Sequence, residues 1–355
     1  MVLLLLIVPL VQYETGWIDE PLLKGYYQSK ERPKLRYFTW ERWFSGEFQS
    51  VTAQKFNDNV PFRSPAIRIA NQYDYSLFGI SHADGFLRGK KGWLYEEDYI
   101  HEFTGRFFIG ERVIDRKLNL LKGVVDSLAS YGIPLLIIHE SGKAGIYPEY
   151  IPDRFRPDVR GLTNYKYFMK RSADFSLPVL DLHPVLLSMK DTSRFPVFPR
   201  YGMHWSHNAT HYIADTLSRF LEKVTGTSMP RFRATHTRIS MQSEGKDYDI
   251  GELLNLLLPL PETPNGYPEV PFAEMDDGKL EALVVGDSYY TLLVETYGRK
   301  MFGRQVFWYY NNSLYPYQNE VPPRRVDKTG LRAKLLSYDV ILLMEIGRAS
   351  CRERV

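Results

Sequence analysis

The chain has 355 residues, 44% hydrophobic and 25% charged, a globular composition that excludes a disordered, collagen-like or multi-span membrane protein. Its 45 Lys+Arg against 42 Asp+Glu leave a formal charge of +3, too small for a nucleic-acid-binding field without a local basic cluster, and the sequence has none. Aromatic residues reach 14%, with 25 tyrosines, a surplus that suits either a tyrosine-rich core or stacking on sugar rings.

In chain order, the apolar opening Met1 to Val11 is too short to span a bilayer, which takes about 20 apolar residues. It also lacks the basic residues that usually precede a secretory apolar stretch. Residues 1–12 are read as the remnant of a signal peptide or membrane anchor, with a buried strand or helix as the alternative, and export is expected. Residues 13–60, with Trp17, Trp40, Trp43 and Phe44 among charges, read as an irregular lead-in. Turn chemistry at Phe56–Arg63 precedes a helix over about 64–78, and glycines bracket a hairpin-like turn at 89–95.

Helical spacing of Val113, Leu118, Leu121, Val124, Val125 and Leu128 predicts a helix over 112–131, stopped at Gly132. The continuous apolar run Ile133 to His139 suits a parallel strand covered on both faces. The alternation then repeats: helix 161–174, strand 178–182, helix 207–225, and a polar, proline-rich stretch 226–279. Strand 282–285, helix 289–302, strand 305–309, helix 329–337 and strand 339–344 complete an α/β layered sheet. The final residues, 345–355, resemble a translated sequencing adapter, which would end the natural chain near Met344 inside that strand. The one cysteine, Cys351, falls in this tail, so disulfides, thiol catalysis and cysteine-bound zinc are excluded for the remainder.

Two places can carry chemistry. In Val284-Val285-Gly286-Asp287-Ser288-Tyr289 a buried strand ends in Gly-Asp-Ser and a helix follows, where open α/β sheets bind ligands. Ser288 beside the helix N-terminus can attack an ester carbonyl if a base removes its proton; otherwise Asp287 or Ser288 merely caps the helix. In Tyr201-Gly202-Met203-His204-Trp205-Ser206, just before the helix at 207, His204 is either that base or a satisfied core histidine. His207 and His211 stand four apart, but no acidic residue among them completes a metalloprotease pattern, so no metal is expected.

The segments Gly89–Tyr95, Gly142–Glu149, Gly202–Ser206 and Gly286–Tyr289, in this order, resemble the SGNH-hydrolase-like domain of the alginate O-acetyltransferase family (AlgX/AlgJ type) across about residues 50–344. The resemblance implies a three-layer, mostly parallel α/β sheet over 61–344, with the histidine motif before the serine motif, a permuted order relative to ordinary SGNH hydrolases. It implies Ser288 as the nucleophile that takes up an acetyl group and His204 as its general base, with no cofactor. It further implies a periplasmic or membrane-anchored enzyme that acetylates hydroxyls of an exported polysaccharide beside a membrane-bound acyltransferase that supplies the acetyl group.

One position departs from the family pattern: the Asp expected two residues before the histidine is Gly202. Asp247 or Asp249 can supply the orienting carboxylate instead, a backbone carbonyl can substitute, or catalysis is lost. Asn311 and Asn312 either add an oxyanion donor or cap a turn, while Lys143 and Tyr147 either contact the acceptor sugar or belong to a solvated loop. A carbohydrate acetyl-esterase using the same machinery and a non-catalytic glycan-binding component of an export complex stand as rival readings.

Overall fold

The computed structural model describes residues 2–25, 38–156, 161–271, 279–315 and 324–346. The chain divides into two compact units, one formed by 1–88 with 250–261, the other by 89–249 with 262–355.

In the first unit the helix Arg63–Phe78 ends at Gly79, whose φ of 67° is the left-handed conformation that glycine adopts without strain. Asn71 on this helix donates its side-chain N–H to the Leu254 carbonyl at 3.0 Å, and Asn255 Oδ1 accepts from the Lys24 backbone N–H at 2.8 Å. The stretch 13–60 is less irregular than its composition suggests. The Thr39 hydroxyl caps a short helix, Trp40–Phe44, by accepting from Arg42 N, and a second helix covers Glu47–Asn59. Exposed aromatics on these helices blur the apolar periodicity that would have revealed them: Trp40 and Phe44 are 68% and 81% exposed. The N-terminal residues form a helix, Val2–Thr15, and no helix among the described residues is long and apolar enough to cross a membrane.

The strands, in chain order, are β1 (Phe86–Arg88), β2 (Leu94–Glu96), β3 (Leu135–Glu140), β4 (Val179–Asp181), β5 (His236–Ser240), β6 (Asn265–Glu269), β7 (Glu281–Gly286), β8 (Arg304–Tyr309), β9 (Ser313–Leu314) and β10 (Val340–Ile346). The second unit is built on a six-stranded sheet in the order β4-β3-β10-β7-β8-β9, parallel except for β9. Every residue of β3 is buried, as its unbroken apolar run requires of a strand covered on both faces. On one face Leu135, Ile137, Leu283, Trp308 and Ile341 pack with Leu128 of the helix Glu111–Ala129 and with Phe168 and Leu335 from two further helices. On the other face Tyr290, in the helix that follows β7, meets Phe307 edge-on at 5.0 Å. The result is helix, sheet, helix.

Within 226–279, β5 and β6 pair antiparallel from His236↔Glu269 to Ser240↔Asn265. Their residues, His-Thr-Arg-Ile-Ser and Asn-Gly-Tyr-Pro-Glu, lack an apolar face, so hydropathy is silent about them. The last strand pairs with β3 through Ile346 and with β7 through Met344, and the rest of the adapter-like tail, with Cys351, lies outside the described residues.

Candidate active site

Parallel strands gather their carboxyl ends at one edge of the sheet, and β7 delivers Gly286-Asp287-Ser288 there. A Cβ on Gly286 would come within 3.1 Å of Met344 Cβ on β10, so any larger residue would oblige Met344 to give by a few tenths of an ångström. Asp287 takes the capping role, its Oδ1 accepting from Tyr289 N at 2.9 Å. Ser288 makes no capping bond, which leaves its hydroxyl for another partner.

That partner is His204. The Ser206 hydroxyl accepts from Ala209 N and starts the helix His207–Thr225, fixing the loop before it. Trp205 is fully buried, and the His204 ring, 3% exposed, lies edge-on to Tyr289 at 4.9 Å. His204 Nε2 sits 2.9 Å from Ser288 Oγ. On the other side of the ring, Nδ1 lies 2.6 Å from Asp249 Oδ2. A carboxylate at Nδ1 holds the proton on that nitrogen and leaves Nε2 bare to accept from the serine hydroxyl. Asp249 Oδ1 also accepts from Met203 N at 2.8 Å, so one carboxylate fixes both the ring and its backbone.

Of the two acids singled out in the sequence, only Asp249 meets His204. Asp247, fully buried, turns instead to His207, accepting from its backbone N–H at 3.2 Å and pairing with its ring nitrogen at 3.1 Å. The turn Gly245–Tyr248 that brings both acids here rests against Gly202. A Cβ at Gly202 would stand 2.5 Å from the Lys246 carbonyl oxygen and 2.6 Å from Pro199 Cγ. The position that carries Asp in the family pattern is thus filled by the backbone of the segment that supplies Asp249. Nothing among the described residues groups three or more metal-ligating side chains, and burial holds the His211 pKa down to about 4.

Two expectations need correction. Lys143 is 1% exposed and does not reach solvent; its ammonium donates to the carbonyls of Leu94, Arg200 and Gly202 at 2.8, 3.0 and 2.9 Å, over the rings of Trp93 and Tyr95. Three acceptors match the three donors of a protonated amine. Burial pushes its pKa down from the ordinary lysine range while Asp249 pulls it up. Lys143 therefore braces the histidine loop rather than touching an acceptor. Tyr147 is likewise buried: its hydroxyl accepts from Val197 N at 3.1 Å, its carbonyl accepts from Tyr95 Oη–H at 2.6 Å, and its pKa is pushed up to about 12 by burial. Asn311 and Asn312 belong to the turn between β8 and β9, with Asn311 at φ 53°, a left-handed conformation that asparagine tolerates.

A second serine–histidine contact escaped the sequence reading. Ser141 Oγ, just past β3, is 2.7 Å from His183 Nδ1 at the start of the helix His183–Thr192. Asp181 in this cluster accepts from His183 N at 2.9 Å and from the Tyr165 hydroxyl at 2.8 Å. The signal available was Ser141 at the end of a buried strand and Asp181-Leu182-His183 at the end of the next.

A profile of the SGNH hydrolase-like domain of the acetyltransferase AlgX matches residues 86–288, more than half of the chain. A probable alginate O-acetylase AlgJ of Pseudomonas putida is 22% identical over 179 residues, 50% of this chain and 44% of that protein. One from Azotobacter vinelandii is 23% identical over 180 residues, 51% of this chain and 44% of its own length. The chain thus spans under half of the length of these relatives. Among solved structures, the O-acetyltransferase domain of P. putida AlgJ superposes with a TM-score of 0.50 at 17% identity, covering 76% of this chain and 93% of that one. This shared fold is the mixed α/β architecture with its central, mostly parallel sheet.

Proposed function

The chain belongs to the family of SGNH hydrolase-like domains represented by the acetyltransferase AlgX, and from that premise we propose that it moves an acetyl group through Ser288 to hydroxyls of an exported polysaccharide. The observation that carries the reading is the continuous contact Asp249–His204–Ser288, at 2.6 and 2.9 Å.

In this reading His204 Nε2 takes the Ser288 proton as Oγ attacks the acetyl carbonyl of the donor. Negative charge develops on the carbonyl oxygen, beside the Ser288 backbone N–H at the start of its helix. Asp249 steadies the imidazolium that forms, and His204 then protonates the departing donor group. In the second half, His204 removes a proton from a sugar hydroxyl, which attacks the acetyl-enzyme and frees Ser288. Resemblance to the family suggests a periplasmic or cell-envelope location and a membrane-bound acyltransferase as the acetyl supplier.

Water in place of the sugar hydroxyl would make the same site an esterase. Full chain supplied with a chromogenic acetyl ester, with and without oligosaccharide, separates the two. Transfer predicts an acetylated sugar and faster donor consumption when acceptor is present; donor turnover indifferent to acceptor contradicts it. Ser288→Ala is expected to abolish both. The Asp249 contact weighs against the rival reading of a non-catalytic glycan-binding component, which drew its support from Gly202.

A further inference from the structure

At the edge of the sheet where Ser288 stands, the second polar cluster opens into a cavity of about 290 Å³. Gly286 of β7 is in register with Met344 of β10, and Met344 with Ile138 of β3. Strand spacing therefore sets the ends of β7 and β3 about 10 Å apart, with one strand between. Tyr99 joins the two places. It lines the cavity, its ring covers Gly142, and it meets Tyr289, the residue after Ser288, edge-on at 6.1 Å.

The lining mixes flat apolar faces with short polar groups. Tyr165, half-buried, stacks on His139 at 4.5 Å with 16° between the rings. Ser141 and His183 add a hydroxyl and an imidazole. Burial holds the His139 pKa down to about 4, so that ring is neutral near pH 7. Aromatic faces beside hydroxyl and imidazole groups suit a sugar ring, which presents C–H on one face and hydroxyls around its rim.

The charges narrow the sugar further. Glu102 lines the cavity, Glu140 beside it keeps its carboxylate fully buried, and Asp181 stands behind Tyr165. Among the described lining residues Lys166, exposed at the rim, is the one lysine, and there is no arginine. Recognition of a sugar carboxylate calls for a bidentate guanidinium or an inward ammonium, and the Glu102 carboxylate opposes it. The volume, at the lower end of ligand pockets (~300 Å³), suits one ring.

We infer that this cavity is an acceptor subsite for an uncharged pyranose, which makes the acceptor a neutral polysaccharide and not a uronate polymer. The role as acceptor subsite rests on the acetyl-transfer reading of Ser288; the binding chemistry does not. The test is calorimetric titration of the intact chain, without acetyl donor, with hexamers of glucose, galactose and mannose and with hexamannuronate and hexaguluronate. At least one neutral hexamer is expected to bind and the uronates not. Tyr165→Ala is expected to weaken that binding about tenfold by removing the stacking face. Because Tyr165→Ala also loses a part-buried hydrogen bond, Leu187→Trp, which narrows the mouth from an exposed position, serves as the second variant and is expected to do the same. Uronates binding as well as neutral hexamers, no hexamer binding, or neutral binding that ignores both substitutions would each overturn the inference. Since no donor is present, a failure of acetyl transfer at Ser288 is read separately and leaves this result standing.

Discussion

Gly202 is the residue at which pattern and geometry part company. Read alone, a glycine where the family carries Asp removes the acid that orients the base. The structure returns a carboxylate to the same ring nitrogen from a turn 45 residues further along the chain. Asp249→Asn is expected to lower kcat by about 10²–10⁴-fold with little change in KM, because an amide donating to Nδ1 selects the wrong tautomer. Steady-state kinetics with a chromogenic ester reads that split. Gly202→Asp should not compensate: its Cβ has the Lys246 carbonyl and Pro199 in the way. We expect the single variant to lose about 1–3 kcal/mol in urea unfolding and the double variant to stay as inactive as Asp249→Asn. Recovered activity in the double variant would show that position 202 is open to a carboxylate after all.

The elements explain which residues could be read in advance. Ser288 and His204 were legible because each sits where a regular element meets a loop: the end of an unbroken apolar strand, and the residues before a well-capped amphipathic helix. Lys143 and Tyr147 were misread because a charged and a phenolic side chain after a strand look solvent-facing in sequence. Nothing local announces that the carbonyls of residues 94, 200 and 202 converge on one ammonium. The helix His183–Thr192, with its histidine against Ser141, went unseen because its short apolar stretch merges with the preceding strand. Lys143→Met, of similar length but without donors, is expected to cost at least about 2 kcal/mol by stranding buried carbonyls. It should also lower kcat, since the Gly202 carbonyl anchors the loop that carries His204. Chemical unfolding together with ester turnover checks both effects.

At the scale of the whole molecule, a parallel sheet collects chemistry at one edge, and here it collects two serine–histidine contacts. Burial of histidines in this unit also sets its acid tolerance. Burial pushes the His139 and His211 pKa values down from the ordinary 6.5 to about 4, so the unfolded chain binds more protons between those limits. Their stabilisation is intact above pH 6.5 and is lost as pH falls toward 4, on the order of 3 kcal/mol for the buried His139. Urea midpoints should fall between pH 7 and pH 4.5, and His139→Asn should flatten part of that slope.

The central claim is that Ser288 carries the acetyl group. A pulse of chromogenic acetyl ester, quenched in acid and followed by peptide mass mapping, is the direct measurement. One acetyl group is predicted on the peptide that contains Ser288 and on none in Ser288→Ala or His204→Ala. An acetyl group found on Ser141, or no covalent adduct while ester is still consumed, would contradict the account.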